Sequence, residues 1–308
     1  MTPYLKIRFI LLLLISAPGY LFSQQIADTT YAPDIQHPAY HPGEGPVVFI
    51  DEGHHNFHTM NGRYRPFALL LERDGYVVMP YEGEFRKRAL NKGKILVISN
   101  ALNEVNSAGW YLPTPSAFTA SEIGILKTWV KEGGSLFLIA DHMPLAGAAQ
   151  DLAAQFGFGF TNGFAIDTVD QGPDYFSIQD GTLTESTLTM GRDSSETVSQ
   201  VVSFTGQGFR IPKCATPVLT LNSNFINLVP DTAWIFDQST RIHDLGGWSQ
   251  GAFKTYGKGK IVVFGEAAMF SAQLAGPNQV RAGMNSDFAE ENHQLLLNII
   301  HWLDGKLD

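Results

Sequence analysis

The sequence is almost devoid of cysteine, because Cys214 is the only one in 308 residues. A single cysteine excludes an intramolecular disulfide and a cysteine-based zinc cluster. Cys214 lies in the segment Pro-Lys-Cys-Ala-Thr-Pro, which has no neighbouring histidine. A catalytic thiolate needs a basic or electropositive setting. We therefore expect Cys214 to be a small buried residue.

Basic residues are also scarce, with 21 Lys and Arg against 30 Asp and Glu and a formal net charge of −9. This balance argues against a general affinity for nucleic acid. The sequence contains no Walker A motif, and no G-x-G-x-x-G leads from a strand into a helix, so nucleotide binding is not supported. The length and the 44% hydrophobic content suit a large α/β domain.

Long apolar runs are missing, and the clearest short one lies near the start. Lys6 and Arg8 precede the apolar stretch 9–15, and the small residue Ser23 follows, which predicts a secretory signal peptide over residues 1–23. The stretch is too short to span a bilayer. We expect a periplasmic or extracellular protein with no membrane span after cleavage. Loss of Lys6 and Arg8 would move the formal net charge from −9 to −11.

Strand and helix patterns alternate from residue 46 onward, after a leader over 24–45 that we expect to be extended on the surface. This alternation predicts an α/β fold with a doubly wound, mainly parallel sheet. Short continuous apolar runs predict buried strands at 46–50, 76–79, 95–99, 135–140 and 260–264. Helical patterns occupy 65–73, 145–156, 288–303 and the segment between Thr119 and Gly133.

Helix boundaries carry capping signals. Thr119 and Glu122 match a capping box, Asp287 is the expected N-cap of the last helix, and Gly305 is its stop. Residues 158–257 are rich in Thr, Ser, Gly and Val, and predict a β-rich excursion within the domain 46–304. The G-x-S-x-G segment 247–251 lies within it. Because no apolar strand precedes this segment, we interpret it as part of a β-hairpin and not as a nucleophile elbow.

Polar side chains follow the predicted parallel strands, whose carboxyl ends meet on one edge of the sheet. We predict catalytic roles for three of them. Asp141 and His142 directly follow a strand, although Asp141 could instead cap the next helix. Glu266 follows the 260–264 strand, and could instead accept backbone hydrogen bonds from its own loop. The predicted ligand-binding residues are Asn100, Trp110, Tyr111 and Gln273.

The densest polar segment runs from residue 51 to residue 58. Its imidazoles and carboxylates suit a divalent metal such as zinc, and neutral imidazole can also act as a base. A third interpretation is a polar loop whose histidines bond to the backbone. The candidate metal ligands are Asp51, Glu52, His54, His55 and His58.

Four segments together resemble the class I glutamine amidotransferase-like superfamily, and in particular an exported bacterial branch. They are Asp51-Glu52-Gly-His54, the helix 121–134, Ile139-Ala140-Asp141-His142 and Phe264-Gly265-Glu266-Ala-Ala-Met269-Phe270. The resemblance covers residues 46–304 and implies a flavodoxin-like α/β fold. Typical members carry a nucleophilic Cys at the elbow, where this chain has Asp141-His142. It therefore implies that this chain is not a glutamine amidotransferase. Relatives similar to the trehalose-utilisation proteins have also lost the Cys, which suggests a sugar-related role.

Two hypotheses of different classes follow. In the first, the protein is a metal-assisted hydrolase or lyase that acts on a small polar or sugar-like substrate. In the second, it is a non-catalytic module that binds a carbohydrate or a cell-envelope partner, with Trp110 and Tyr111 as stacking surfaces.

Overall fold

The computed structural model describes residues 25–170 and 172–307, so the predicted signal peptide lies outside the described residues. The strands are β1 (Gln25–Ala27), β2 (Val47–Asp51), β3 (Val77–Tyr81), β4 (Ile95–Ser99), β5 (Ser135–Ile139), β6 (Phe164–Asp167), β7 (Asp174–Ser177), β8 (Gln200–Ser203), β9 (Thr216–Thr220), β10 (Phe225–Val229), β11 (Arg241–Asp244), β12 (Ser249–Tyr256), β13 (Gly259–Phe264), β14 (Ala272–Ala275) and β15 (Val280–Gly283). The α-helices are α1 (Arg65–Arg73), α2 (Lys87–Leu90), α3 (Ala120–Glu132), α4 (Leu145–Gln155), α5 (Thr187–Met190) and α6 (Asn292–Asp304). Short 3-10 helices occupy Glu104–Asn106, Ser194–Glu196 and Ala268–Phe270.

The main sheet has seven strands in the order β3-β2-β4-β5-β13-β12-β9. The first five are parallel to one another, β12 pairs antiparallel with β13, and β9 pairs antiparallel with β12. All five residues of β4 and of β5 are buried, as expected for parallel strands covered on both faces. The predicted α/β fold with a mainly parallel sheet is confirmed.

Alternate side chains of the central strands feed two separate cores, one on each face of the sheet. In β4, Ile95 and Val97 pack into the core that contains the apolar side chains of α1 and α6. Leu96 and Ile98 point the other way, into the core that contains those of α3 and α4. This period of two, with helices on both faces, is the doubly wound arrangement that the sequence predicts.

The capping signals are confirmed at two helix ends and wrong at a third. Thr119 and Glu122 form the capping box of α3, and Gly305 ends α6 in the left-handed region with φ of 93°. Asp287 is not the N-cap, because α6 begins only at Asn292. Turns centred on Ser286 occupy the preceding residues, with backbone bonds from Ser286 N to Gly283 O and from Ala289 N to Ser286 O, both 3.0 Å.

The excursion 158–257 is β-rich. It contributes β9 and β12 to the main sheet, β6, β10 and β11 to a three-stranded sheet, and the β7–β8 pair. Ser249 opens β12, which pairs antiparallel with β13, so the G-x-S-x-G segment leads into a hairpin as predicted. Cys214 is exposed, which corrects the expectation that it is buried. It lies in the turn that precedes β9, where Ala215 N donates to Pro212 O at 2.9 Å.

The segment from Gln25 to residue 45 lies against the domain, with β1 paired antiparallel to β14. Ala39 N donates to Asp74 Oδ1 at 2.7 Å, and the Tyr40 hydroxyl donates to Asp304. Within the described ranges, none of the helices combines the length and the hydropathy that a bilayer crossing requires.

The capping box yields a stability prediction. Thr119→Ala removes the acceptor for Glu122 N and the bond from the Thr119 hydroxyl to the Glu122 carboxylate. We expect the free energy of unfolding, measured by urea titration, to fall by about 1 kcal/mol. Thr128→Ala in the exposed middle of α3 is the matched control, and should leave stability unchanged or slightly higher. Equal effects of the two substitutions would contradict the role of the cap.

Candidate functional site

The carboxyl ends of β2, β4, β5 and β13 lie side by side and bring predicted site residues to one edge of the sheet. Asn100 connects two of these ends. Its backbone oxygen accepts from Phe57 N, and its side-chain oxygen accepts from Asp141 N, both at 2.9 Å. Asn100 holds φ of 51°, a conformation that Asn tolerates better than most residues. Asn100 thus holds the segments that contain Phe57 and Asp141 in place, and Asp141 N already occupies its side-chain oxygen.

The carboxyl groups of Asp141 and Glu266 lie close enough for the charge of Asp141 to act on Glu266. Ala140 N donates to Phe264 O at 3.0 Å, which aligns the ends of β5 and β13. Burial and the nearby charge of Asp141 raise the pKa of Glu266 well above its usual range. Burial also raises the pKa of Asp141. Two neighbouring buried carboxyl groups cannot easily ionise together, so the pair favours holding a proton.

Backbone groups fix both members of the pair. Glu266 accepts from Ala268 N at 2.6 Å and from Met269 N at 2.7 Å, and it is 1% exposed. The Asp141 carboxylate accepts from His142 N at 2.8 Å. Asp141 does not cap α4, whose N-cap position is Pro144.

His142 has one ring nitrogen near Asp141. Its Nδ1 lies 2.8 Å from Met143 O, and because a carbonyl oxygen only accepts, Nδ1 must carry the proton. In the neutral ring Nε2 is then an acceptor, and it lies 3.9 Å from Asp141 Oδ1. The ring stacks on Phe164 with a centroid distance of 4.2 Å. The imidazole therefore has a fixed orientation, with its unprotonated nitrogen 3.9 Å from Asp141 Oδ1.

The aromatic side chains of Trp110, Phe164 and Trp234 contact His142. We call these three residues, together with Tyr111 next to Trp110 in the chain, the aromatic rim. Trp234 and Trp110 meet the His142 ring edge-on at centroid distances of 4.7 and 5.9 Å. The loop after β4 is joined to the loop after β10 by Leu112 N to Asp231 O at 2.9 Å and Ala233 N to Trp110 O at 2.8 Å. Tyr111 and Trp234 are about half exposed, at 53% and 47%. The rim thus offers accessible aromatic surface above a buried acid–base centre.

Phe164 and Trp234 were not predicted from the sequence. Both lie in the excursion, whose pattern indicates strands and turns but not which residues return to the edge of the sheet. Trp234 has φ of 66°, which bulky residues rarely adopt, and no local sequence signal predicts it.

His54 bridges two carboxylates. Its Nδ1 lies 2.9 Å from Asp51 Oδ1, and its Nε2 lies 2.9 Å from Glu122 Oε1. Burial disfavours the charged ring, but hydrogen bonds and charges from Asp51 and Glu122 outweigh it and raise the pKa of His54. Burial likewise opposes ionisation of Glu122, yet bonds from Thr119 N, His54 and Phe85 N lower its pKa to about 2. The imidazole thus joins the end of β2 to the start of α3.

The remaining predicted metal ligands point to different partners. His58 is buried with Nδ1 3.3 Å from Ser99 Oγ, and burial together with the charge of Arg63 lowers its pKa to about 3. His55 is exposed, and Glu52 Oε1 accepts from Met60 N at 2.7 Å. Among the residues that the structure describes, no group of three or more His, Cys, Asp or Glu is arranged to hold a metal ion.

Gln273 lies in β14 and not in a loop at the edge of the main sheet. Its Nε2 donates to Ser271 Oγ at 2.6 Å, and its backbone oxygen accepts from Asn285 Nδ2 at 3.1 Å. The structure places it in the three-stranded β1-β14-β15 sheet. Its predicted role in ligand binding therefore has no support from the contacts of this side chain.

Comparison with known proteins adds to the fold assignment. No protein-family model and no curated protein matches the sequence. The mmIFT52 N-terminal domain is similar in structure, with a TM-score of 0.57 at 15% identity, over 83% of this chain and 96% of that one. This chain shares the α/β fold of that domain. At this identity the similarity concerns the fold alone.

Two further solved structures are similar at a TM-score of 0.45. A ThuA-like protein from Bacteroides uniformis is 11% identical, over 88% of this chain and 94% of that one. A GMP synthase protein from Thermoplasma acidophilum is 10% identical, over 87% of this chain and 96% of that one.

The His54 bridge predicts a pH-dependent contribution to stability. Because the pKa of His54 is raised in the folded state, its contribution is complete below the ordinary value of 6.5. It is lost as the pH rises through the folded pKa. His54→Gln should lower the free energy of unfolding at pH 6 by about 3 kcal/mol, and this difference should shrink toward pH 9. Urea unfolding at several pH values measures it.

The exposed His41 provides the control, since His41→Gln should leave the pH profile of stability unchanged. A difference between wild type and His54→Gln that stays constant from about pH 6 to 9 would show that the bridge is not ionic.

Proposed function

We propose that this chain binds a small polar, sugar-like molecule beneath the aromatic rim and catalyses proton transfer on it as a hydrolase or lyase. The observation that carries the proposal is the placement of His142. Its Nδ1 is held by Met143 O, and its Nε2 faces Asp141 at 3.9 Å. A separation of that size exceeds a hydrogen bond. A water or a substrate hydroxyl can therefore interact with both groups once the rim admits a ligand.

The three groups have complementary chemistry. Nε2 of His142 can accept a proton from water or from an acidic carbon, and the pair Asp141–Glu266 can supply one to a leaving oxygen. Positioned acids and bases of this kind typically contribute about 10²–10⁴-fold to a rate. In hydrolysis, His142 removes a proton from a water molecule, and this water attacks the substrate atom that carries the leaving group. The bond between that atom and the leaving group breaks as the carboxyl pair protonates the leaving group.

The aromatic rim supports a ring-shaped ligand with apolar faces and polar edges. Indole and phenol rings stack on the apolar faces of sugars, while the polar groups below set orientation. The unusual backbone conformation of Trp234 is consistent with a functional site, where strained residues concentrate.

Metal assistance is not needed in this proposal. Both ring nitrogens of His54 are already bonded to carboxylates, so recruiting it as a ligand would break the bridge between Asp51 and Glu122. Export through the signal peptide 1–23 belongs to the same proposal, and would place the reaction in the periplasm or outside the cell.

A non-catalytic binding module is the second candidate, and one contrast favours it. Both oxygens of Glu266 are occupied by backbone N–H groups, and the side chain is 1% exposed. The rim, by contrast, is accessible at Trp234 and Tyr111. Such a module would use the rim for stacking and the carboxyl pair only for structure.

Turnover separates the two candidates. The mature chain is incubated with a panel of p-nitrophenyl glycosides and sugar lactones, and binding of each is followed by thermal shift. We expect turnover of at least one compound, and a loss of at least 100-fold in kcat for His142→Gln and for Glu266→Gln with little change in the thermal shift. His243→Gln, at an exposed position of β11, is the control.

The outcomes differ for the two candidates. Compounds that raise the melting temperature without being turned over would establish the binding module in place of the enzyme. Turnover that survives both substitutions at wild-type rates would remove His142 and Glu266 from the mechanism.

A further inference from the structure

Arg63 lies beside the aromatic rim in a setting that the proposed reaction does not use. It precedes α1, and its guanidinium lies over the ring of Phe57, with Cζ 3.9 Å from the ring centroid. The side chain is partly buried. Its Nε atom is fully buried and has no hydrogen-bond partner among the described residues. A buried N–H group without a hydrogen-bond partner lowers the stability of the fold unless a ligand or a water molecule accepts its hydrogen bond.

The charge of Arg63 is also uncompensated. Burial lowers its pKa, and no carboxylate of the described part of the chain offsets that effect. A guanidinium stays protonated in proteins despite such a shift. The adjacent His58 is neutral, because burial and the charge of Arg63 both oppose its protonation. The surroundings therefore contain a cation without an anion, in a chain whose formal net charge is −9.

Aromatic contacts connect Arg63 to the candidate acid–base centre. Phe57, under the guanidinium, meets Trp110 edge-on at a centroid distance of 5.5 Å. Trp110 in turn meets His142 at 5.9 Å. One ligand of one or two sugar rings can therefore stack on the rim and reach the guanidinium with a terminal group.

We propose that Arg63 determines specificity by binding a carboxylate of the ligand, so that the ligand is an acidic sugar. The inference rests on the proposed function, since it names the substrate class of the same site. The fork of N–H donors on a guanidinium matches a carboxylate with two parallel hydrogen bonds. A doubly charged phosphate would be repelled more strongly by the carboxyl pair Asp141–Glu266 than a single carboxylate is.

Matched neutral and acidic sugars test this inference. Binding to the full mature chain is measured by tryptophan fluorescence and by calorimetry for glucose against glucuronate and for lactose against lactobionate, with glucose 6-phosphate as the phosphate probe. We expect at least tenfold tighter binding of the acidic member in at least one pair. Arg63→Gln should abolish this preference without weakening the neutral sugar, and Arg63→Lys should keep part of it, because Lys retains the charge but not the fork.

Each of the following results would overturn one part of this inference. Equal binding of neutral and acidic sugars to wild type, or a preference that survives Arg63→Gln, would refute the role of Arg63 and leave the proposed function intact. Tighter binding of glucose 6-phosphate than of glucuronate would show that Arg63 binds a phosphate group and not a carboxylate. Failure of every sugar to bind would refute the sugar-like ligand and this inference together.

A competition experiment keeps the inference testable if Arg63→Gln does not fold. Acetate should compete with glucuronate for the wild-type protein and should leave glucose binding unchanged. If acetate competes with neither glucuronate nor glucose, no carboxylate site lies next to the bound sugar.

Discussion

Parallel pairing of β5 with β13 in the middle of the sheet is the constraint on which the candidate site depends. The bond from Ala140 N to Phe264 O brings the chain that follows each strand to the same point on the edge. Asp141 and Glu266 consequently lie together although 125 positions of sequence separate them. Burial is the main cause of the raised pKa of each group, and the nearby charge of Asp141 raises the pKa of Glu266 further.

Two buried histidines at this edge differ in their hydrogen-bond partners. His54 contacts a carboxylate with each ring nitrogen, so the charged ring is favoured and the residue joins β2 to α3. His142 donates to a backbone carbonyl instead and keeps one nitrogen for chemistry. The same residue type thus serves stability in one place and reactivity in the other, according to which acceptors the fold supplies.

Much of the fold was predictable, because its determinants are local. The all-apolar run of β4 and the capping box of Thr119 are each readable within a few residues. The predicted start of the last helix was wrong, because successive turns bonded from Ser286 N to Gly283 O and from Ala289 N to Ser286 O replace the expected cap at Asp287. At the site, the positions of Asp141 and Glu266 followed from strand order. The contact of His54 with Glu122 and the contact of Trp234 with His142 depend on packing between distant parts of the chain, which no short sequence pattern encodes.

The shared proton of the carboxyl pair is the central claim, and the titration of Glu266 followed by carboxyl-carbon NMR tests it most directly. We expect Glu266 to remain protonated well above the usual range of a glutamic acid, and Asp141→Asn to move its midpoint to lower pH by removing the neighbouring charge. A Glu266 that titrates like an exposed side chain, or whose midpoint ignores Asp141→Asn, would contradict the claim.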